Sequence, residues 1–368
     1  MNTKLTERQL RMLVILYVVG SSILFTPATL AQEAKQDAWI ASLISVLIGL
    51  FIGYIILKLY KVFPNLTMIE IIEHLLGKWL GKIVGFTFFL FSFLLASLVL
   101  RNLGEFIITE ILPETPILYV HILVLLAVIQ GVRYGIHVIG RSAEILSFFF
   151  FFMYFFFVLF LTPQLRFENI QPIFDVGIKP IIRATLPYIG FPFLEVVIFL
   201  MVLNKANKNQ QVDRSFLSGI VIGGLMISLI TIISILVLGA DLTERNNYPS
   251  YILGKKISIG KFIERIEALI AIIWMITIFV KLSILYYASA ESLKQLFQFK
   301  RYEFLLFPLG MIIIVLAFII YPNISYTYYF ISRIWFFYSA TFGFLLPVLL
   351  LIMIKWKKRQ PNNKSPSS

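Results

Sequence analysis

Two stretches decide how this chain reads: LRMLVILYVVGSSILFTPATL at 10–30 and IIRATLPYIGFPFLEVVIFLMVL at 181–203. Each is apolar and long enough to span a membrane, and each is broken near its middle, at Gly20-Ser21-Ser22 and at Gly190-Phe191-Pro192. Inside a bilayer a helix break strands backbone N–H and C=O groups, which is tolerable only against protein, ligand or a wet cavity. Two breaks in corresponding places therefore point to a binding site at the centre of a repeated architecture.

Outward from the breaks, each stretch is followed by four more segments near the roughly 20 apolar residues a spanning helix needs. The expected spans are 10–30, 38–58, 83–104, 116–132, 143–162, 181–203, 215–239, 262–288, 303–321 and 330–354. Hydrophobic residues make up 59% of the 368, charged residues 14%, and mean hydropathy is +0.90, more apolar surface than a soluble fold of this length hides. The expected fold class is an all-α integral membrane protein of ten transmembrane helices, a 5+5 inverted repeat with helices 1 and 6 broken. Residues 10–162 form the first five-helix repeat, 181–354 the second and 355–368 a basic tail, all within one membrane domain. An odd number of spans per repeat forces opposite topology on the two halves. Small-residue pairs in corresponding helices, Gly49/Gly53 and Gly219/Gly223, fit this repeat, because they let helix backbones approach closely.

With the N-terminus on the cytoplasmic side, the inner segments carry 20 of the 32 Lys and Arg residues, so both termini are expected to be cytoplasmic. The net charge of +13 is then mainly topology and attraction to anionic lipid; the basic residues lie in short loops and build no nucleic-acid surface. The outer loop 240–261, with Arg245, Lys255 and Lys256, is either an extracytoplasmic contact surface or a solvated loop. Lys4, Arg8 and Arg11 ahead of an apolar run resemble a signal peptide, but the mid-segment Gly-Ser-Ser and its counterpart about 170 residues on favour a retained helix. The chain contains no cysteine, so disulfides, thiolate metal sites and thiol catalysis are excluded. His74, His121 and His137 have no metal-ligand spacing and no catalytic motif is present; neither a metal, a cofactor nor an enzymatic activity is expected.

At the first break Gly20 supplies backbone freedom, Ser21 and Ser22 compete with helical hydrogen bonding, and a half-helix beginning near Ile23 presents free N–H groups and a positive dipole end. A carboxylate suits that end; a kink that merely accommodates a neighbour is the alternative. At the second break, Pro187, Gly190 and Pro192 free the carbonyls of Tyr188, Ile189 and Gly190 for an ammonium group or cation, while Phe191 or Phe193 closes over an apolar group. Glu195 follows within a turn and a half. A carboxylate at bilayer centre costs about 2.5–3.5 kcal/mol on insertion scales unless paired, wet or neutral, so it serves proton sensing, ligand-amine recognition or a half-helix N-terminus. Lys281 shares a helix face with Trp274, Thr277 and Ile278, and either sits at an ion or coupling site with Thr277 or snorkels to the cytoplasmic interface. Arg101, Asn102 and Glu105 line an outer vestibule or mark an interfacial helix end.

The N-terminal LTERQL at 5–10, the stretch PIFDVGIKPIIRATLPYIGFPFLEVVIFL from Pro172 to Leu200 and RIEALIAIIWMITIFVKLSI from Arg265 to Ile284 resemble the B subunits of spore germinant receptors. These are endospore germination permeases within the amino acid–polyamine–organocation superfamily, and the resemblance covers essentially the whole chain. It implies a ten-helix core of the LeuT type, residence in the inner membrane of the dormant spore, and assembly with an A subunit and a lipoprotein C subunit to respond to a small germinant, an amino acid or similar molecule. In the first of the two readings of Lys281, at an ion or coupling site, its ammonium stands where sodium sits in related transporters. The expected function is a permease-like sensor whose ligand occupancy biases two states and helps trigger germination. An active amino-acid/cation symporter of the same fold, and an ion-conducting pore, are the alternatives.

Overall fold

The computed structural model describes residues 4–207, 211–256 and 267–359. The tail beyond 359, Lys208, the end of the outer loop and the first residues of the span placed at 262–288 lie outside the described residues. Among those described, every regular element is helical, and the single strand-like contact is a parallel bridge between Leu5 and Ala206.

The chain begins with α1 (Glu7–Val19) and α2 (Ser22–Ala34), which a 3-10 turn joins to α3 (Ala38–Val62). A capping box starts α1: the Thr6 hydroxyl accepts the Gln9 N–H at 3.2 Å, and the Gln9 side chain accepts the Thr6 N–H at 3.1 Å. The amphipathic α4 (Met68–Leu76) opens the same way with Thr67 and Glu70 and buries Met68, Ile69, Ile71, Ile72 and Leu75. Then come α5 (Lys78–Phe106), α6 (Ile117–Arg133), α7 (Ile136–Leu161) and α8 (Ile178–Tyr188). Beyond the second break run α9 (Val212–Leu238), the short α10 (Ala240–Arg245) and α11 (Pro249–Lys256), and α12 (Glu267–Leu296). The last third holds α13 (Leu306–Ile319), α14 (Ile324–Tyr329), α15 (Trp335–Ala340) and α16 (Leu346–Arg359), the last three joined by π-helical turns into one stretch.

Seven helical stretches among the described residues are long and apolar enough to cross a membrane: 22–62, 78–111, 136–164, 178–201, 212–238, 267–296 and 325–357. The ten expected segments map onto these unevenly. The segment 10–30 divides at Gly20, its second half runs on into the next segment through the turn at Lys35–Asp37, and the helices at 117–133 and 303–319 are apolar but shorter. Helix α16 continues through Arg359, into the stretch read as a tail.

Close approach of backbones organises the centre. A β-carbon on Gly219 or Gly223 of α9 would fall 2.7 or 2.9 Å from the side chains of Val14 and Val18 on α1. On α3, a β-carbon at Gly49 would meet the Phe193 ring at 2.4 Å, and one at Gly53 would meet Ile220 of α9 at 2.6 Å. Gly49, Gly219 and Gly223 thus each seat a residue of the other half's broken segment, and Gly53 seats α9 against α3. In the Phe-rich α7, Phe148, Phe149 and Phe152 are exposed on the apolar outer face, whereas Phe150 is wholly buried because its position on the 3.6-residue period turns it inward.

The loop read as outer is only partly solvated in its described part, 240–256, where Arg245, Lys255 and Lys256 are exposed. The apolar side of α10 and α11 folds down along α2: Tyr248, Ser250 and Leu253 are buried, the Tyr248 ring meets Phe25 edge-on at 5.5 Å, and Lys35 pairs with Glu244. Apolar residues within the charged stretch, Tyr248, Tyr251 and Leu253, supply the burial that holds it there.

Candidate functional site

The first break is a single turn. Helix α1 ends where Gly20 takes φ +23°, a conformation that L side chains rarely adopt, and α2 restarts at Ser22, one residue earlier than the sequence suggests. Ser21 occupies the cap position without a side-chain capping bond, and the buried hydroxyls of Ser21 and Ser22 have no partner among the described residues. The Thr277 hydroxyl lies 2.8 Å from the Trp274 carbonyl and 3.3 Å from that of Gly20, joining α12 to the break. The carbonyl of Ile23 accepts the Ser250 hydroxyl at 2.5 Å.

The second break is longer. Tyr188 ends α8, Ile189–Phe193 form a π-helical turn in which Phe191 leaves helical geometry at φ −139° and ψ 93°, the Phe191–Pro192 peptide is cis, and Leu194–Met201 continue as a 3-10 helix. Only part of the expected constellation gathers here. The carbonyl of Ile189 accepts the Leu194 N–H, which it shares with the carbonyl of Pro192. The Tyr188 hydroxyl points to α9, donating to the Gly224 carbonyl at 2.9 Å. Phe193 is wedged between α3 and α9, against Gly49 and Gly224, away from the Glu195–Lys281 pair's contacts.

Phe191 and Glu195 instead converge on Lys281. The Lys281 ammonium lies 2.7 Å from Glu195 Oε2, 4.5 Å from the centre of the Phe191 ring and 5.2 Å from that of Tyr17. Both charged side chains are 0% exposed. The other carboxylate oxygen, Oε1, accepts the Trp335 indole N–H at 2.8 Å, and the Glu195 carbonyl accepts the Tyr17 hydroxyl at 3.1 Å. Lys281 therefore does not snorkel to the cytoplasmic interface: its stem lies across Gly20 and its head is held between the two breaks. Burying a charge without a partner is prohibitively costly, whereas a hydrogen-bonded pair is tolerated. The absence of a side chain at Gly20 is what leaves room for the lysine, since a β-carbon there would stand 2.6 Å from Lys281 Cδ.

The breaks are flanked by ties on both sides. Toward the N-terminus, Leu5 pairs its backbone with Lys205 and Asn207 at 2.9 Å, and Arg8 meets Glu144 at 3.2 Å. At the opposite end, Glu33 at the end of α2 faces Arg183 of α8 at 3.5 Å and Arg333 at 3.7 Å. In the cluster on α5, Arg101 and Glu105 form a largely buried pair at 2.8 Å, with 11% and 8% of their side chains exposed, and Asn102 is buried beside them.

Trp335 and Tyr17 complete the polar centre and went unnoticed in the sequence. Trp335 belongs to an aromatic-rich run in a chain with 36 Phe, 17 Tyr and 5 Trp residues, so composition does not single it out, whereas Tyr17 stands alone in an aliphatic run that shows no partner for its hydroxyl. Tyr17 sits one turn before Gly20, the only local sign of its position.

Comparison with known proteins places this arrangement in context. The sequence profile of the family described as Spore germination protein matches residues 4–327. Spore germination protein KB of Bacillus subtilis (strain 168) is 30% identical over 361 residues, covering 97% of this chain and 96% of that protein. Spore germination protein YndE of the same organism is 26% identical over 369 residues, covering 97% and 98%. Spore germination protein XB of Bacillus anthracis is 23% identical over 362 residues, covering 94% and 98%. Among solved structures, the closed conformation of Mhp1, a nucleobase-cation-symport-1 family transporter with bromovinylhydantoin bound, is similar with a TM-score of 0.60 at 13% identity, covering 96% of this chain and 78% of that one. The inward-facing conformation of Mhp1 is similar with a TM-score of 0.57 at 12% identity, covering 95% and 76%. At such identity the likeness concerns the fold alone, which is of the LeuT-like transporter type.

Proposed function

The chain belongs to the spore germination protein family, and from that premise we propose that it is the permease-like B subunit of a nutrient germinant receptor. Its helices make ten crossings in a 5+5 inverted repeat, 10–162 and 181–354, with both termini on the core side of the spore inner membrane. It works with an A subunit and a lipoprotein C subunit and catalyses no reaction. A small germinant, an amino acid or similar molecule, binds where the breaks meet. The N-terminus of α2, with the unpartnered Ser21 and Ser22 hydroxyls, suits an anionic group. Phe191 and the Glu195–Lys281 pair form the facing wall.

The observation that carries this reading is the wholly buried Glu195–Lys281 pair, held at 2.7 Å between the two breaks. A charged ligand group arriving beside it competes for one partner and changes what the other prefers, so occupancy and helix arrangement are coupled. The built-in ammonium supplies a cation that a symporter would draw from solution, which favours a sensor. Similarity in fold to Mhp1 favours the second reading, a cation-coupled amino-acid symporter. Reconstitution in proteoliposomes separates the two: saturable binding of a labelled germinant without accumulation supports the sensor, and concentrative uptake without partner subunits supports the symporter.

A further inference from the structure

The face read as outer carries a basic cleft away from the two breaks. Lys and Arg are scarcer on that side of a membrane protein, so each one there calls for a reason. Lys255 has one: it meets Glu110 at 2.8 Å and lies 4.7 Å from the centre of the Tyr251 ring. Arg166, just beyond α7, and Lys256, the last residue of α11, have none of this kind; both are exposed, without an ion pair among the described residues. They come together as walls of one cleft of about 450 Å³ at the outer ends of α7 and α9. Its frame is fixed by hydrogen bonds. The Arg166 N–H and Asn169 Nδ2 donate to the Leu236 carbonyl at 3.1 and 2.9 Å, and Gln164 Nε2 donates to the Lys256 carbonyl at 2.9 Å. Those groups hold the walls, which leaves the guanidinium and the ammonium to meet a ligand. Among the described residues no acidic side chain lines the cleft; Glu168 and Asp241, the nearest in sequence, are exposed and not on its walls.

We propose that this cleft binds the phosphate of an anionic phospholipid headgroup. The site stands apart from the breaks and does not depend on where a germinant binds. The membrane stretches 136–164 and 212–238 both end at it, which sets it at headgroup depth. Two cations of different shape suit one phosphate: a guanidinium grips two oxygens as a fork, and an ammonium acts as a point charge. Leu238 and Leu242 complete the wall, and Leu242, 47% exposed, offers an apolar surface to the glycerol and the start of an acyl chain. The volume lies within the roughly 300–1,000 Å³ of ligand clefts. A zwitterionic headgroup would bring its own cation against Arg166 and Lys256 with no carboxylate on the walls to receive it, so the cleft selects phosphatidylglycerol over phosphatidylcholine.

Native mass spectrometry of the full-length protein in detergent, titrated with dioleoylphosphatidylglycerol or dioleoylphosphatidylcholine, tests this. The wild type is expected to bind the first lipid more tightly than the second. Arg166→Gln and Lys256→Gln should each weaken phosphatidylglycerol binding about fivefold, and the double variant at least about twentyfold, each basic group near the surface contributing about equally. Because both residues are exposed, the variants should keep the unfolding midpoint of the wild type in lipid-free detergent. Lys179→Gln, which removes an exposed charge of α8 outside the cleft, should leave the affinity within about twofold of the wild type. Equal affinity for the two lipids, or a preference that survives the double variant, overturns the proposal. Displacement of the lipid by inorganic phosphate at equal concentration would make the cleft a site for free phosphate, and tighter binding of a glutamate oligomer would make it a socket for an acidic protein segment; either result overturns the headgroup assignment.

Discussion

The bare α-carbon of Gly20 lies under the stem of Lys281, so closely that a β-carbon would stand 2.6 Å from Lys281 Cδ and 2.6 Å from the Tyr17 carbonyl oxygen. Helix break and buried cation are therefore one construction: the lysine reaches Glu195 because the glycine carries no side chain and turns the backbone at φ +23°.

Gly20→Ala is expected to destabilise the protein by roughly 1–3 kcal/mol, from the unfavourable φ and the clash. It also moves Lys281, so spores carrying the variant as their sole B subunit should need at least about tenfold more germinant. Thermal unfolding in detergent and germination dose–response curves check the two effects. An unchanged dose response at a lowered unfolding midpoint would make the break purely architectural.

Removing one member of the buried pair should cost more than removing both. Glu195→Gln leaves the Lys281 ammonium without its counter-charge and is expected to cost about 3–5 kcal/mol. The double variant Glu195→Gln/Lys281→Met should recover much of that loss, because no uncompensated charge remains. A double-mutant cycle on thermal stability measures the coupling, and additive effects would contradict the pairing.

The last membrane stretch is held to the second break by backbone contact at Gly343, where a β-carbon would come within 2.2 Å of the Leu194 carbonyl oxygen. Gly343→Ala must push that helix away and loosen the Trp335–Glu195 bond, at about 1–3 kcal/mol. Gly131→Ala is the control, since its β-carbon would meet only Phe279 at an ordinary 3.7 Å. Comparable unfolding midpoints for the two variants would rule out the close approach.

Sidedness can be read with thiols because the chain contains no cysteine. Gln211, which precedes α9, and Asn247, which follows α10 beyond the other end of α9, are both exposed. An impermeant maleimide should label Asn247→Cys on intact cells and label Gln211→Cys only after permeabilisation. The reverse pattern would invert the proposed topology.

Glu144→Ala releases Arg8 and Gln9, which both contact the Glu144 carboxylate. Arg8 is well exposed, so the cost in stability should stay within about 1 kcal/mol. Amide exchange in the first turn of α1 should nevertheless accelerate, as one of its ties to α7 is lost. Unchanged protection there would show that the backbone pairing of Leu5 with Lys205 and Asn207 suffices.

The sequence by itself determined the membrane class, the places of both breaks and the special standing of Glu195 and Lys281. Each follows from local chemistry: apolar runs set spans, Gly20-Ser21-Ser22 and Gly190-Phe191-Pro192 interrupt helical hydrogen bonding, and a charge within an apolar run demands a partner. Which partner was decided only by the tertiary structure. Glu195 and Lys281 are 86 positions apart, and helical periodicity within either segment carries no information about which faces of two separate helices meet. For the same reason Trp335 was invisible among its aromatic neighbours and Tyr17 carried no mark of its partner, Phe193 read with Phe191 as closing over an apolar group although α3 and α9 enclose it, and Asn102 read as one member of a polar cluster. The fate of the outer loop was likewise tertiary, since its buried Tyr248 and Leu253 acquire their meaning only from the α2 surface they cover. Local sequence specifies where a helix must stop, but packing specifies what its broken ends face.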